Sequence, residues 1–109
     1  MQTGLFGVAA GQVARLNVLN AVDPASDTVD IEMQILDMSG MLLARDARRV
    51  GPGEGTFIEV RVDQRTEVRA LVKMAGAGDI NNVNATAEII DNDTGRTTYL
   101  VTATSPPAQ

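Results

Sequence analysis

The chain has 109 residues, no cysteine, no histidine and a net charge of −5. That length suits one domain able to bury a core without disulfides, and the missing residues exclude thiolate zinc sites, thiol catalysis and the commonest general base and transition-metal ligand. A pI near 4.5 argues against binding nucleic acid or anionic membrane through bulk electrostatics, and no apolar run is long enough to span a bilayer.

The start, Met1-Gln2-Thr3-Gly4, lacks a basic region, and Gly4, Gly7 and Gly11 interrupt the weakly apolar residues 5–10. It does not read as a signal peptide, which leaves a cytoplasmic chain or a mature extracellular or periplasmic form carrying a new initiator Met. Residues 5–8 predict a short first strand at an edge. A turn over residues 9–12 leads into a strand over 13–20, with Ala14, Leu16 and Val18 inward. Residues 20–27 form a loop by their Asn, Asp, Pro and Ser content. Residues 29–37 are the cleanest strand, because Val29, Ile31, Met33 and Ile35 alternate with Asp30, Glu32 and Gln34.

Asp37-Met38-Ser39-Gly40 is a turn in which Asp caps through its side chain and Gly supplies positive φ. Residues 41–50 fit either period: Met41, Leu43 and Arg45 alternate, while Leu43, Ala47 and Val50 keep helical spacing. The position after a hairpin-type turn favours a strand. Residues 51–55, Gly-Pro-Gly-Glu-Gly, break any regular element.

Residues 56–74 hold two alternating runs. Ile58, Val60 and Val62 face inward in the first, and Val68, Ala70, Val72 and Met74 in the second. Direct pairing of these runs as a hairpin is poor. Matching the apolar faces sets Asp63 opposite Glu67 and leaves a three-residue loop without the usual glycine. A two-residue loop puts the faces out of phase. Residues 63–66 therefore read as a corner that carries the chain from one sheet to the other. A loop over 75–82 follows, then a strand over 83–90, an Asp-to-Gly turn over 91–95, a strand over 96–102 and a Pro-rich tail over 105–109.

The result is an all-β domain over residues 1–104, an antiparallel two-sheet sandwich of seven to eight strands. Two internal echoes accompany it. Val8-Ala9-Ala10-Gly11-Gln12 resembles Val50-Gly51-Pro52-Gly53-Glu54, and Ile35-Leu36-Asp37 before Gly40 resembles Ile89-Ile90-Asp91 before Gly95. They admit either recurring turn chemistry, the simpler account, or duplication into two similar halves.

Taken together, VAAGQVARLNV, VDIEMQILDMSG, VGPGEGTFIEV and AEIIDNDTGRTTYLV resemble the immunoglobulin-like and fibronectin-type-III-like modules of bacterial proteins. The chain departs from antibody-type domains in lacking the Cys pair and the core Trp. The resemblance implies a fold and no activity.

Candidate sites are few. Asp91-x-Asp93-x-Gly95 looks like the first half of a calcium loop, but Ala103 stands where such a loop needs its bidentate Glu. Calcium therefore requires Asp37 or Asp79 to approach, and the plainer reading is a hairpin turn capped by Asp91. Asn84 and Asn92 begin glycosylation-type triplets that chance explains. Arg45, Arg48 and Arg49 could face a phosphate or acidic partner, or simply solvate an edge. Ser26, Ser39 and Ser105 have no histidine to activate them, and the sole lysine, Lys73, is on an outward phase.

Phe6, Phe57 and Tyr99, the only aromatic residues, offer little for stacking sugars or bases. No cofactor or metal is called for, and the chain reads as no enzyme. The positive hint is a set of hydrophobes on outward strand phases: Leu19, Leu36, Met38, Leu42, Leu71 and Ile90. These point to a contact patch for a protein partner or for other copies of the chain. The leading expectation is a non-enzymatic interaction or adhesion module. The alternatives are a self-assembling subunit of a filament or shell, joined through the strand at residues 5–8, the Pro-rich tail and these hydrophobes, and a calcium-dependent binding domain using the Asp91 turn.

Overall fold

The computed structural model describes residues 1–21, 28–76, 78 and 80–104. Ser26, Asp79, Ser105 and the tail 105–109 lie outside the described residues. Eight strands follow from the alternations: β1 Phe6–Val8, β2 Gln12–Asn20, β3 Val29–Asp37, β4 Leu42–Val50, β5 Gly55–Arg61, β6 Thr66–Met74, β7 Val83–Asp91 and β8 Thr97–Thr102. A 3-10 turn, Ile80–Asn82, precedes β7.

The strands form two four-stranded antiparallel sheets, one ordered β1-β6-β3-β4 and the other β5-β2-β7-β8. Only β3–β4 and β7–β8 are joined as hairpins, and every other connection passes between the sheets. The corner at residues 63–65 does what the phase argument requires. β5 ends in one sheet with Val62 buried, β6 begins in the other, and Asp63 never pairs with Glu67.

The inner faces of both sheets meet in one core. Leu16, Ile31, Met33, Ile35, Val68 and Val72 are fully buried at its centre. Each such side chain contributes about 1.5–3 kcal/mol relative to exposure, so the core dominates stability. The two turns that follow Val8 and Val50 are near copies. In each, the first residue after the buried valine donates its N–H to a side-chain oxygen three residues on: Ala9 to Gln12 Oε1 at 2.9 Å, and Gly51 to Glu54 Oε1 at 2.8 Å. The N–H of that later residue returns to the first carbonyl, at 3.0 Å in both turns. The first echo is thus one sheet-to-sheet corner used twice.

The second echo has a larger basis. Advancing every label of β1-β6-β3-β4 by four, with β8 followed by β1, gives β5-β2-β7-β8, the other sheet. Residues 29–37 and 83–91 occupy equivalent places: Ile35 pairs with Ala70 and Ala44, Ile89 with Ala14 and Tyr99. Both hairpins bulge at the same step, between Ile35 and Leu36 and between Ile89 and Ile90. Both turns are Asp-capped: Asp37 Oδ1 accepts the Ser39 N–H at 2.9 Å, and Asp91 Oδ1 the Asp93 N–H at 3.0 Å. Each closes on a glycine with φ of +85° (Gly40) or +71° (Gly95), a region that side chains with a Cβ avoid. The fold is a pseudo-two-fold pair of four-strand halves that exchange β2 and β6.

The two sides of the sandwich close differently. At the β1/β8 side, Gln2 bridges Leu71 of β6 and also Thr104, just beyond β8. Gln2 and Thr104 exchange N–H···O bonds of 2.9 and 3.0 Å. At the opposite side, β4 and β5 are the outer strands of their sheets.

Candidate functional site

The two outer faces differ in chemistry. On the β1-β6-β3-β4 face, charges are interlocked: Asp30 Oδ1 accepts from Arg49 Nε at 2.9 Å, and Glu32 holds both Arg45 and Lys73. Burial pulls the Glu32 carboxyl upward, but hydrogen bonds from Lys73 and Arg45 outweigh it and hold the group below its usual range. Gln2 Oε1 accepts from Arg69 at 3.0 Å.

The expected basic patch is not gathered. Arg45 and Arg49 stand on the outer face, whereas Arg48 stands opposite Ile31 on the inner face, 2.6 Å from Asp46. The bulge at Ile35 reverses the phase expected for Arg45, and lets Leu43 and Ala44 both pack on the core. Charges on the inner face of a terminal strand discourage addition of a further strand.

The outer face of β5-β2-β7-β8 carries large apolar groups. Leu19 is 43% exposed, Phe57 48% and Leu100 62%. Leu19, Phe57, Gly55, Asn17, Asn84 and Thr86 line an open groove of about 390 Å³. Gly55, which pairs with Leu19 and adds no side chain, leaves the hollow unfilled at that position. The Arg15 guanidinium lies 4.1 Å above the Phe57 ring centroid and donates to Glu59 Oε2 at 2.9 and 3.0 Å, which fixes the ring. Beside it, Glu88 accepts from Asn17 at 3.3 Å and from Thr97 at 2.8 Å, tying β2, β7 and β8 across the face.

The six hydrophobes expected to form one contact patch are divided. Leu19 and Ile90 lie on the β5-β2-β7-β8 face, with Ile90 half-buried between Val13 and Thr97. Leu36, Leu42 and Leu71 lie on the opposite outer face, and Met38 stands in the β3–β4 turn. Leu36 corrects the expectation of exposure. It sits on an interior strand between Leu42 and Arg69, and only 9% of it reaches solvent. Leu71, opposite Gln34 and bridged by Gln2, is half-buried.

Phe57 and Leu100 were not anticipated as surface groups. Phe57 was legible from its outward phase with Glu59. Leu100 was not, because Thr-Thr-Tyr-Leu-Val-Thr has no polar alternation to assign faces.

The remaining candidates are turn and surface residues. Asp37 Oδ1 accepts three bonds, from Ser39 Oγ at 2.8 Å and from the Ser39 and Met41 N–H groups at 2.9 Å. The Ser39 hydroxyl above all, then the Met41 N–H, holds the Asp37 carboxyl below its usual range. The Asp91 turn is built the same way. Among the described residues, no group of three acidic side chains is placed to hold a metal ion. Asn84 and Asn92 are exposed, the first on the groove and the second in the β7–β8 turn.

No helix among the described residues is long and apolar enough to cross a membrane. The chain matches no protein-family model, and searches of curated proteins and of solved structures found no match.

Proposed function

We propose that the protein is a non-enzymatic contact module, akin to bacterial immunoglobulin-like and fibronectin-type-III-like domains, that binds a protein partner through the outer face of β5-β2-β7-β8. The observation that carries this reading is the contrast between the faces. One carries interlocked charges, while the other presents Leu19 and Phe57 on an open groove and Leu100 farther along the same face. Exposed apolar groups gathered beside oriented amides and a fixed ring suit a protein surface, where aromatic anchors and arginine carry much of the binding energy.

The test is affinity capture from the cells that make the protein, using the wild type, Phe57→Ser and Lys73→Ala. A partner retained by the wild type and by Lys73→Ala, and lost from Phe57→Ser, is the expected result. Capture that is indifferent to Phe57 would remove this face from consideration.

A further inference from the structure

β8 is the unguarded edge of the sandwich. Its sequence from Thr97 to Thr102 contains no charge, and Tyr99 (43% exposed) and Leu100 (62%) reach solvent. The other outer strands are protected. β4 carries Arg45, Asp46, Arg48 and Arg49, β5 carries Glu59 and Arg61, and β1 is only three residues long.

The free side of β8 can be read from its bonds. Ala103 donates to the Ala85 carbonyl at 2.9 Å, so the backbone groups of Val101 and Tyr99, two and four residues back, face β7. Thr104 turns its N–H and C=O the other way and uses both on Gln2. By the same alternation, Thr102 and Leu100 aim their N–H and C=O groups along that open edge. The first residues of the chain therefore already add to this edge at its far end and stop there. Below that point the chain moves across to β1, leaving a cleft of about 400 Å³ lined by Leu5, Phe6, Gly7, Gln12, Ile89, Thr98 and Tyr99.

From this geometry we infer that β8 pairs antiparallel with β8 of a second copy of the chain, across a two-fold axis at Leu100. The occupant is specified by self-complementarity. A two-fold axis normal to the sheet sets residues of the same face opposite one another, and centring it on Leu100 gives Leu100–Leu100, Tyr99–Val101 and Thr98–Thr102. Apolar, aromatic with β-branched, and Thr–Thr are favourable cross-strand pairs, and no like charges meet. The same operation on β4, centred on Asp46, sets Asp46 against Asp46. Gln2 at Thr104 ends the ladder at both of its extremities, so pairing joins two copies and does not propagate. The result is a continuous eight-stranded sheet whose outer face carries the proposed partner surface twice. This inference rests on the contact-module reading but uses a different edge.

A single cysteine tests it, because the chain has none of its own. Across the axis, Leu100→Cys faces its symmetry mate at a Cα separation of about 5.5 Å, within the range a disulfide spans. Mild oxidation is expected to convert Leu100→Cys to a covalent dimer and to leave Leu42→Cys, on β4, monomeric. Sedimentation of the wild type is expected to show mass doubling as concentration rises from about 10 µM to about 1 mM, in the range of a small interface. Leu100→Lys, confirmed folded by circular dichroism, is expected to stay monomeric throughout.

A wild type monomeric at every concentration, a Leu100→Lys variant that still doubles in mass, or preferential crosslinking of Leu42→Cys would each overturn the inference. None of these results touches the Phe57 capture experiment, so the two readings fail separately.

Discussion

β4 and β8 occupy equivalent places at the ends of the two sheets, follow equivalent hairpins, and face solvent with opposite chemistry. Matched through their partners on β3 and β7, Arg45 corresponds to Leu100, Asp46 to Val101 and Arg48 to Ala103. A shared backbone thus carries two surface designs. On β4 the matched inner-face positions hold an ion pair, set between core contacts at Leu43, Ala44 and Val50. On β8 and just beyond it they hold Val101 and the buried Ala103, both packed on the core. The difference shows that strand order alone does not decide which edge of a sandwich is available. The side chains on the terminal strand do.

The largest effect is expected from erasing the difference. Asp46→Val with Arg48→Val gives β4 two β-branched residues opposite Met33 and Ile31 and removes its inner-face charges. Two open edges on one molecule permit unlimited stacking. Light scattering should show species well beyond a dimer, with fibres by electron microscopy, where the wild type shows neither. A double variant no larger than the wild type would mean that the inner-face charges are not what protects β4.

A smaller effect sharpens the comparison from the other side. The Tyr99 ring stands 5.7 Å from that of Phe6 and closes the β1/β8 cleft. Tyr99→Ala should cost about 1–2 kcal/mol in urea unfolding, from lost burial and ring contact. Arg45→Ala on the equivalent edge should leave the midpoint almost unchanged. Equal losses at the two positions would show that β8 contributes no more to the core than β4.

The smallest expected effect compares the turns. Asp37 Oδ1 accepts three bonds where Asp91 Oδ1 accepts one, so Asp37→Ala should lower the melting midpoint more than Asp91→Ala does. The Asp37 carboxyl is held below its ordinary value of about 3.9, so its contribution is complete above that pH and is lost as pH falls through the lower, folded-state value. The gap between wild type and Asp37→Ala should therefore close on acidification below about pH 4. A gap independent of pH would mean that the side-chain charge is not involved.

Legibility in the sequence followed the same division. Where one face is buried and the other charged, as in β3, alternation alone gives the inner residues, because a one-residue slip would bury Glu32. The corner at residues 63–65 was readable because both direct pairings of its flanking runs carry a stated penalty. β4 was ambiguous because Asp46 and Arg48 occupy inner positions, which interrupts the apolar period. Leu36 misled because alternation reports which face a residue takes and not how closely its neighbours on adjoining strands cover it. The open face was only half readable: Leu19 declared itself among polar neighbours, whereas Leu100 is surrounded by Thr, Tyr and Val, which tolerate either side. The pairing of halves was present as an echo, but short turn motifs recur for local reasons, and only strand order separates the two causes.

The exchange of β2 and β6 bears on how the chain reaches this state. β6 is the strand that joins β1 to β3, and β2 the strand that joins β5 to β7. Neither sheet can therefore be completed from one half of the chain. Residues 1–50 alone hold one hairpin, β3–β4, while β1 awaits β6 and β2 awaits β5 and β7. Commitment to the fold comes late and depends on contacts distant in sequence, the regime in which folding is slow. In that interval β4, guarded by its own charges, is the strand of the first hairpin that can wait in water without pairing wrongly.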